Sequence, residues 1–239
     1  MVPNWPAVTD DDAGVRRNVV LLCDIPSGRV GRPSKALTLG QAEAVLNASE
    51  TSSLRAYIVL SLLIGARTEE LRALLWSDVD LVGEPDATPP IPPSIAVWRS
   101  VRAGGDTKTK KSRRTLAIPQ RCVDALSDQW KRRTCSQSPA PGDGLVFVSR
   151  VGTALDAHNV RREFRKVAGR AGLVPGEWTP RELRHSFVSL LSDDGMPIEN
   201  ISRLVGHTST FVTETVYRQQ IRPVMVEGAE AMDRIFPVV

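Results

Sequence analysis

The residues of this chain most able to do chemistry lie between positions 179 and 218. They run Thr179-Pro180-Arg181-Glu182-Leu183-Arg184-His185, then Leu204-Val205-Gly206-His207, then Thr213-Glu214-Thr215-Val216-Tyr217-Arg218. Tyr217 is one of only 2 tyrosines, and it stands in a setting of fixed cations and histidine. This is the equipment for phosphoryl transfer to a protein hydroxyl: donors to spread over phosphate oxygens, and a nucleophile that can form a covalent ester. Guanidinium forks match the non-bridging oxygens of a phosphodiester and stay charged at any working pH. A tyrosine with a reference pKa of about 10 reaches phenolate at pH 7 at a cost of about 4 kcal/mol. Nearby cations reduce that cost, and a base must still receive the proton.

Helices must hold most of this segment. Helical patterning covers 156–171, 180–194, 197–205 and 209–218, with Gly195-Met196-Pro197 separating the second from the third. Upstream, Thr38 with Gln41 forms a capping-box start, followed by the apolar face Ala42, Val45 and Leu46. Leu54 to Ile64 is apolar nearly all round and reads as a central buried helix that includes Tyr57. Glu69 to Trp76 reads as a third helix, acidic near its start as the helix dipole favours. The β signal is confined to the middle, where Ser94–Trp98 and Arg114–Ile118 alternate around a Gly104-Gly105 connection rich in lysine. Pro119 then opens a helix carrying Val123, Leu126 and Trp130. The expected class is mainly α with a small antiparallel β-sheet.

Composition narrows the partners. A hydrophobic fraction of 41% with 24% charged residues fits a globular domain. No apolar run reaches the ~20 residues of a membrane span, and no basic-then-apolar leader opens the chain. Cys23, Cys122 and Cys135 fit no disulfide or metal-ligand spacing, which points to the cytoplasm. The net charge of +4 is unevenly spread. Residues 99–114 hold seven cations against Asp106, and 161–170 hold five against Glu163. These two stretches carry +10 and leave −6 for the rest. Such segregation suits a polyanion-binding face. The aspartates Asp10-Asp11-Asp12 and Asp193-Asp194 sit in a linker and at a helix end, so cations must supply the charge stabilisation that paired metal ions give elsewhere.

Three segments resemble the tyrosine recombinase (phage integrase) family. The first is Leu63-Ile64-Gly65-Ala66-Arg67-Thr68-Glu69-Glu70-Leu71 running into Leu74-Leu75-Trp76-Ser77-Asp78-Val79-Asp80. The second is Lys108-Thr109-Lys110-Lys111-Ser112-Arg113-Arg114 before Leu116-Ala117-Ile118-Pro119, similar to the family's β-hairpin lysine motif. The third is the segment ending at Tyr217. In order and spacing they cover roughly residues 36–222. The resemblance implies the recombinase catalytic-domain fold over 36–239, with 1–35 as linker and remnant of an N-terminal DNA-clamping domain. It also implies site-specific recombination of double-stranded DNA through a 3′-phosphotyrosyl intermediate, no metal or nucleotide cofactor, and self-assembly as a tetramer on paired sites.

Carried over residue by residue, Arg67 and Arg184 grip the scissile phosphate, Lys108 is the hairpin lysine, His207 the later histidine and Tyr217 the nucleophile. Glu70 supports Arg67. Lys110 and Lys111 are alternatives to Lys108, and with Arg113, Arg161, Arg162 and Arg165 they are expected to contact DNA; a solvated face is the competing reading for the 161–170 helix. Arg181 departs from the pattern by occupying a position that is usually histidine. It can bond a phosphate oxygen but cannot accept a proton, so His207, or a phosphate oxygen with water, must do so. His185 points about 100° away from Arg184 round the helix and reads as structural. A last stretch, 224–236, either packs on a neighbouring protomer or completes the chain's own core. Two other readings keep the basic stretches: a DNA-binding remnant without catalysis, and type IB topoisomerase-like strand relaxation.

Overall fold

The computed structural model describes residues 35–101, 113–136, 144–149 and 151–207. The chain divides after Pro33, and every described residue belongs to the unit Ser34–Val239. Lys108, Lys110, Lys111 and Tyr217, the 1–34 segment, the Gly104-Gly105 connection and the helices expected at 209–218 and 224–236 lie outside the described residues.

The described part is mainly helical. Its helices are α1 (Leu39–Ser49), α2 (Arg55–Leu63), α3 (Thr68–Arg72), α4 (Gln120–Ser136), α5 (Ala157–Arg170), α6 (Pro180–Asp193) and α7 (Ile198–Val205). Thr38 and Gln41 cap α1 reciprocally, as expected. Helix α2 lies at the centre, with every residue from Ala56 to Leu62 buried, and it packs on α1, α4 and α6. The Tyr57 ring meets Phe147 edge-on within this core. Helix α5 packs on α1 and α6 through Val160, Phe164, Val167 and Ala168.

Strands β1 (Val79–Asp80), β2 (Ser94–Val97) and β3 (Arg114–Ala117) form one antiparallel sheet in that order. The register pairs Ile95 with Leu116 and Val97 with Arg114. Ile95, Val97 and Leu116 face the core. Because strand side chains alternate, Arg114 shares the inner face with Leu116.

One expectation is corrected, and one strand was not foreseen. The third helix ends at Arg72 instead of reaching Trp76. From Leu74 the backbone pairs instead with residues 144–146: Val146 N donates to Leu74 O, and Trp76 N donates to Gly144 O. Non-local pairing thus captures groups that a longer helix would have used internally. Strand β1, only two residues long, gave no periodic signal in the sequence.

Candidate active site

The ends of α2 and α7 and the start of α3 meet beside α6. Helix α2 stops at Gly65, whose φ of 61° is left-handed, and a Cβ there would collide with the Phe187 ring. Only glycine turns the chain there without a clash. The turn delivers Arg67 to the start of α3, where Glu70 accepts from Arg67 N at 2.8 Å. Helix α6 starts at Thr179, with Pro180 in its first turn and Glu182 accepting from Thr179 N at 2.8 Å. Ser186 on α6 accepts from Leu37 N and donates to Glu182 O, tying α6 to the chain just before α1. Helix α7 ends on Gly206, φ 68°, and His207 N donates back to Ser202 O at 3.0 Å.

The last carbonyls of α7 are capped by three different arginines. Leu204 O accepts from Arg114 Nε at 2.8 Å, Val205 O from Arg184 Nη2, and Gly206 O from Arg67 Nη2 at 3.1 Å. Arg184 also donates Nη1 to Gly65 O. It therefore bridges the C-terminal ends of α2 and α7. Carbonyls at such ends lack intrahelical partners and carry the negative pole of the helix dipole. That environment compensates a guanidinium buried to 7% exposure.

Glu70 is the one carboxylate bonded within this cluster among the described residues. Arg114 Nη1 and Nη2 donate to its two oxygens at 3.1 and 2.9 Å, and Arg67 Nη1 donates to Oε1 at 2.7 Å. Burial would raise its pKa, but the hydrogen bond and charge of Arg114, then the charge of Arg67, prevail and hold it down at about 2. Three guanidiniums against one carboxylate leave a positive excess, the electrostatic requirement for an anion site.

His207 lies beside this excess, with Nε2 3.3 Å from Arg184 Nη2. Burial first, then the charges of Arg184, Arg67 and Arg114, lower its pKa to about 4. It is neutral at pH 7. Since arginine only donates, Nε2 faces Arg184 as an acceptor. His185 is buried, and burial together with the Arg181 charge lowers its pKa to about 4.

The structure thus brings together four of the expected residues: Arg67, Glu70, Arg184 and His207. Arg181 is exposed on α6, one turn before Arg184, with no hydrogen bond to the cluster among the described residues. Arg113 is exposed beside Arg114. On α5, Arg162 and Arg165 are exposed and Arg161 is partly so; Arg162 is 3.6 Å from Glu163, which also pairs with Lys166 at 2.8 Å. Sequence reasoning missed Arg114 as a site residue. The signal was available, because alternation back from Leu116 turns Arg114 inward.

A profile of the phage integrase family matches residues 35–222. The chain belongs to the phage integrase family. Among its integrase-family relatives, an integrase of Streptomyces ambofaciens is 64% identical over 227 residues, covering 93% of this chain and 58% of the relative. Tyrosine recombinase XerC of Agrobacterium fabrum is 31% identical over 180 residues, covering 75% of this chain and 51% of XerC. The chain therefore spans a little over half the length of these relatives. In fold it matches the Tn1549 transposon integrase in complex with circular intermediate DNA, with a TM-score of 0.66 at 20% identity over 85% of this chain and 68% of that one. It likewise matches the XerA recombinase, with a TM-score of 0.62 at 22% identity over 88% of this chain and 68% of that one. The fold is that of a tyrosine recombinase catalytic domain, as the family resemblance implied.

Proposed function

We propose that this chain carries the catalytic domain of a site-specific DNA recombinase of the integrase type. The observation that carries the reading is the positive excess of Arg67, Arg114 and Arg184 over Glu70, with neutral His207 at its edge. In this reading the Tyr217 oxygen attacks the phosphorus of a DNA phosphodiester as the bond to the 5′-oxygen breaks. The products are a 3′-phosphotyrosyl ester and a free 5′-hydroxyl. Arg67 and Arg184 donate to the non-bridging oxygens, where charge concentrates in the transition state. Exposed Arg181 adds a donor, and Lys108 meets the phosphate from the hairpin. The tyrosine proton goes to a phosphate oxygen with water or to neutral His207, whose acceptor Nε2 then gives up its contact with Arg184; arginine cannot perform this task. The ester conserves the bond energy, so a second strand's 5′-hydroxyl reverses the step and joins the exchanged strands without a nucleotide.

Double-stranded DNA is the partner. Lys110, Lys111, Arg113, Arg161, Arg162 and Arg165 contact its backbone, and protomers assemble as a tetramer on paired sites in the cytoplasm. Residues 1–35 serve as the linker and remnant of an N-terminal DNA-clamping domain, and 36–239 form the catalytic domain. The DNA-bound Tn1549 integrase supports this choice of partner.

Covalent trapping tests the proposal. Nicked duplexes with randomised sequence around the nick are expected to yield a denaturant-resistant protein–DNA adduct, and Tyr217→Phe should yield none. Failure of the whole pool to trap the wild-type chain would favour a DNA-binding remnant. Relaxation of arbitrary supercoiled plasmid would favour a topoisomerase.

A further inference from the structure

The arginines around Glu70 are not equivalent. Arg114 is the more enclosed, its side chain 9% exposed against 28% for Arg67, while the Glu70 side chain is 2% exposed. Arg114 occupies both carboxylate oxygens with its fork. Arg67 shares one of them and places its other terminal nitrogen on Gly206 O. One buried carboxylate is thus matched by the enclosed guanidinium, and the charge left over belongs to the more exposed one.

Arg114 has a second reach. Its Nε bonds Leu204 O, and a Cβ placed on Gly206 would stand 3.0 Å from its Nη1. It fills the angle between β3 and the end of α7, immediately before His207. Arg114 also stands at the start of the strand that follows the Lys108 segment in sequence. It connects, in one side chain, strand β3, the carboxylate behind Arg67 and the turn that carries His207.

We propose that Arg114 is a positioning residue for the reaction inferred above: it neutralises Glu70 so that Arg67 remains available to the phosphate, and it braces the α7 end so that His207 stays beside Arg184. The proposal rests on the recombinase reading and deepens it. Without Arg114, Glu70 faces Arg67 alone, and the strongest available pairing draws Arg67 onto the carboxylate and away from the substrate. The remaining Arg67–Glu70 pair carries no net charge, and the other arginine left, Arg184, is held by the Gly65 and Val205 carbonyls.

The test uses the 239-residue chain and duplexes selected by wild-type covalent capture from the randomised nicked pool. Single-turnover adduct formation and duplex affinity are measured for Arg114→Met, Arg114→Lys, Glu70→Gln and the Glu70→Gln/Arg114→Met pair, with thermal unfolding of each. Arg114→Met is expected to slow adduct formation by ~10²-fold while duplex affinity changes by less than ~3-fold, because misplaced groups cost transition-state binding and not encounter. Arg114→Lys, which keeps the charge but not the fork, should fall between. Adding Glu70→Gln to Arg114→Met should restore ~10-fold, since removing the carboxylate frees Arg67, a non-additivity that contacting residues show. Thermal unfolding separates this from a mere structural brace, which would return rate only in step with the unfolding midpoint, because neutralising Glu70 also relieves a buried charge. The positioning role predicts recovery of rate at a temperature where both variants are fully folded. Arg114→Met cleaving within ~2-fold of wild type, or a double variant no faster than Arg114→Met, overturns the proposal. A wild-type chain that traps no duplex overturns the recombinase reading and this inference together. A wild-type adduct without the double-variant recovery overturns this inference alone.

Discussion

Arginines serve two regions of this molecule in opposite ways. At the meeting of α2, α6 and α7, Arg67, Arg114 and Arg184 are held by carbonyls and one carboxylate, and Arg184 is 7% exposed. On α5, Arg162 and Arg165 stand in solvent, with Arg162 near Glu163 in an exposed pair. The first arrangement fixes each fork before any ligand arrives, which is what transition-state stabilisation requires. The second leaves long side chains free to follow a polyanion, and its ion pairs add little to stability. A concavity lies at the second region. It is an open groove of about 750 Å³ between the end of α4 and α5, with Arg132, Arg133, Arg162 and Lys166 on its walls. A duplex is too large to enclose, so the reacting centre needs placed donors more than a deep cavity.

The sharpest way to break this contrast is at Arg184. Arg184→Ala should reduce adduct formation by ~10³-fold or more. It should also cost roughly 2–5 kcal/mol of stability, because Gly65 O and Val205 O lose their buried donor. Single-turnover trapping and urea unfolding measure the two effects; loss of neither would place Arg184 with the α5 type. Acid should act next. Burial and neighbouring arginines hold His207 and His185 near pKa 4 when folded, while the unfolded chain binds those protons near 6.5. Their contribution is complete above about pH 6.5 and is lost as the pH falls through about 4. Glu70, depressed to about 2, loses its contribution over the lower window between about 4.5 and about 2. The thermal midpoint is therefore expected to fall in two stages, and His185→Gln should shrink the first. A midpoint flat from pH 7 to 4 would contradict the buried, neutral histidines. The smallest effect on the fold belongs to the triple change of Arg161, Arg162 and Arg165 to alanine. Stability should move by no more than about 0.5 kcal/mol per site. The salt slope of DNA binding should drop by about 0.9 for each lost phosphate contact, with adduct formation at saturating duplex unchanged. A fall in that saturated rate would erase the distinction between the regions.

What was legible in the sequence followed the range of the forces involved. The α1 capping box closes over three residues and could be read directly. The apolar run of α2 announced its burial, and alternation marked β2 and β3. Arg184 was harder, because a cation within a helix reads as surface. Its burial depends on Gly65 O and Val205 O, which come from helix ends 119 and 21 residues away. Arg114 was counted among hairpin cations, since nothing local reveals a partner carboxylate 44 residues upstream. The early end of α3 had the same cause, a pairing with residues 144–146 that no local propensity encodes. Family resemblance named Arg67, Glu70, Arg184 and His207, but their shared dependence on the α7 carbonyls is a property of the assembled chain.

The span of those bonds has a consequence for synthesis. Arg184 reaches back 119 residues to Gly65, and Arg67 reaches forward 139 to Gly206. A chain emerging from the ribosome exposes Arg67 long before the carbonyls that aim it have been made, and long-range contacts of this kind form only after their loops close. In the proposed reading, competence to cut would thereby be withheld from unfinished or partly folded copies. For a protein proposed to cleave DNA, the order in which its own residues are translated would act as a safety catch.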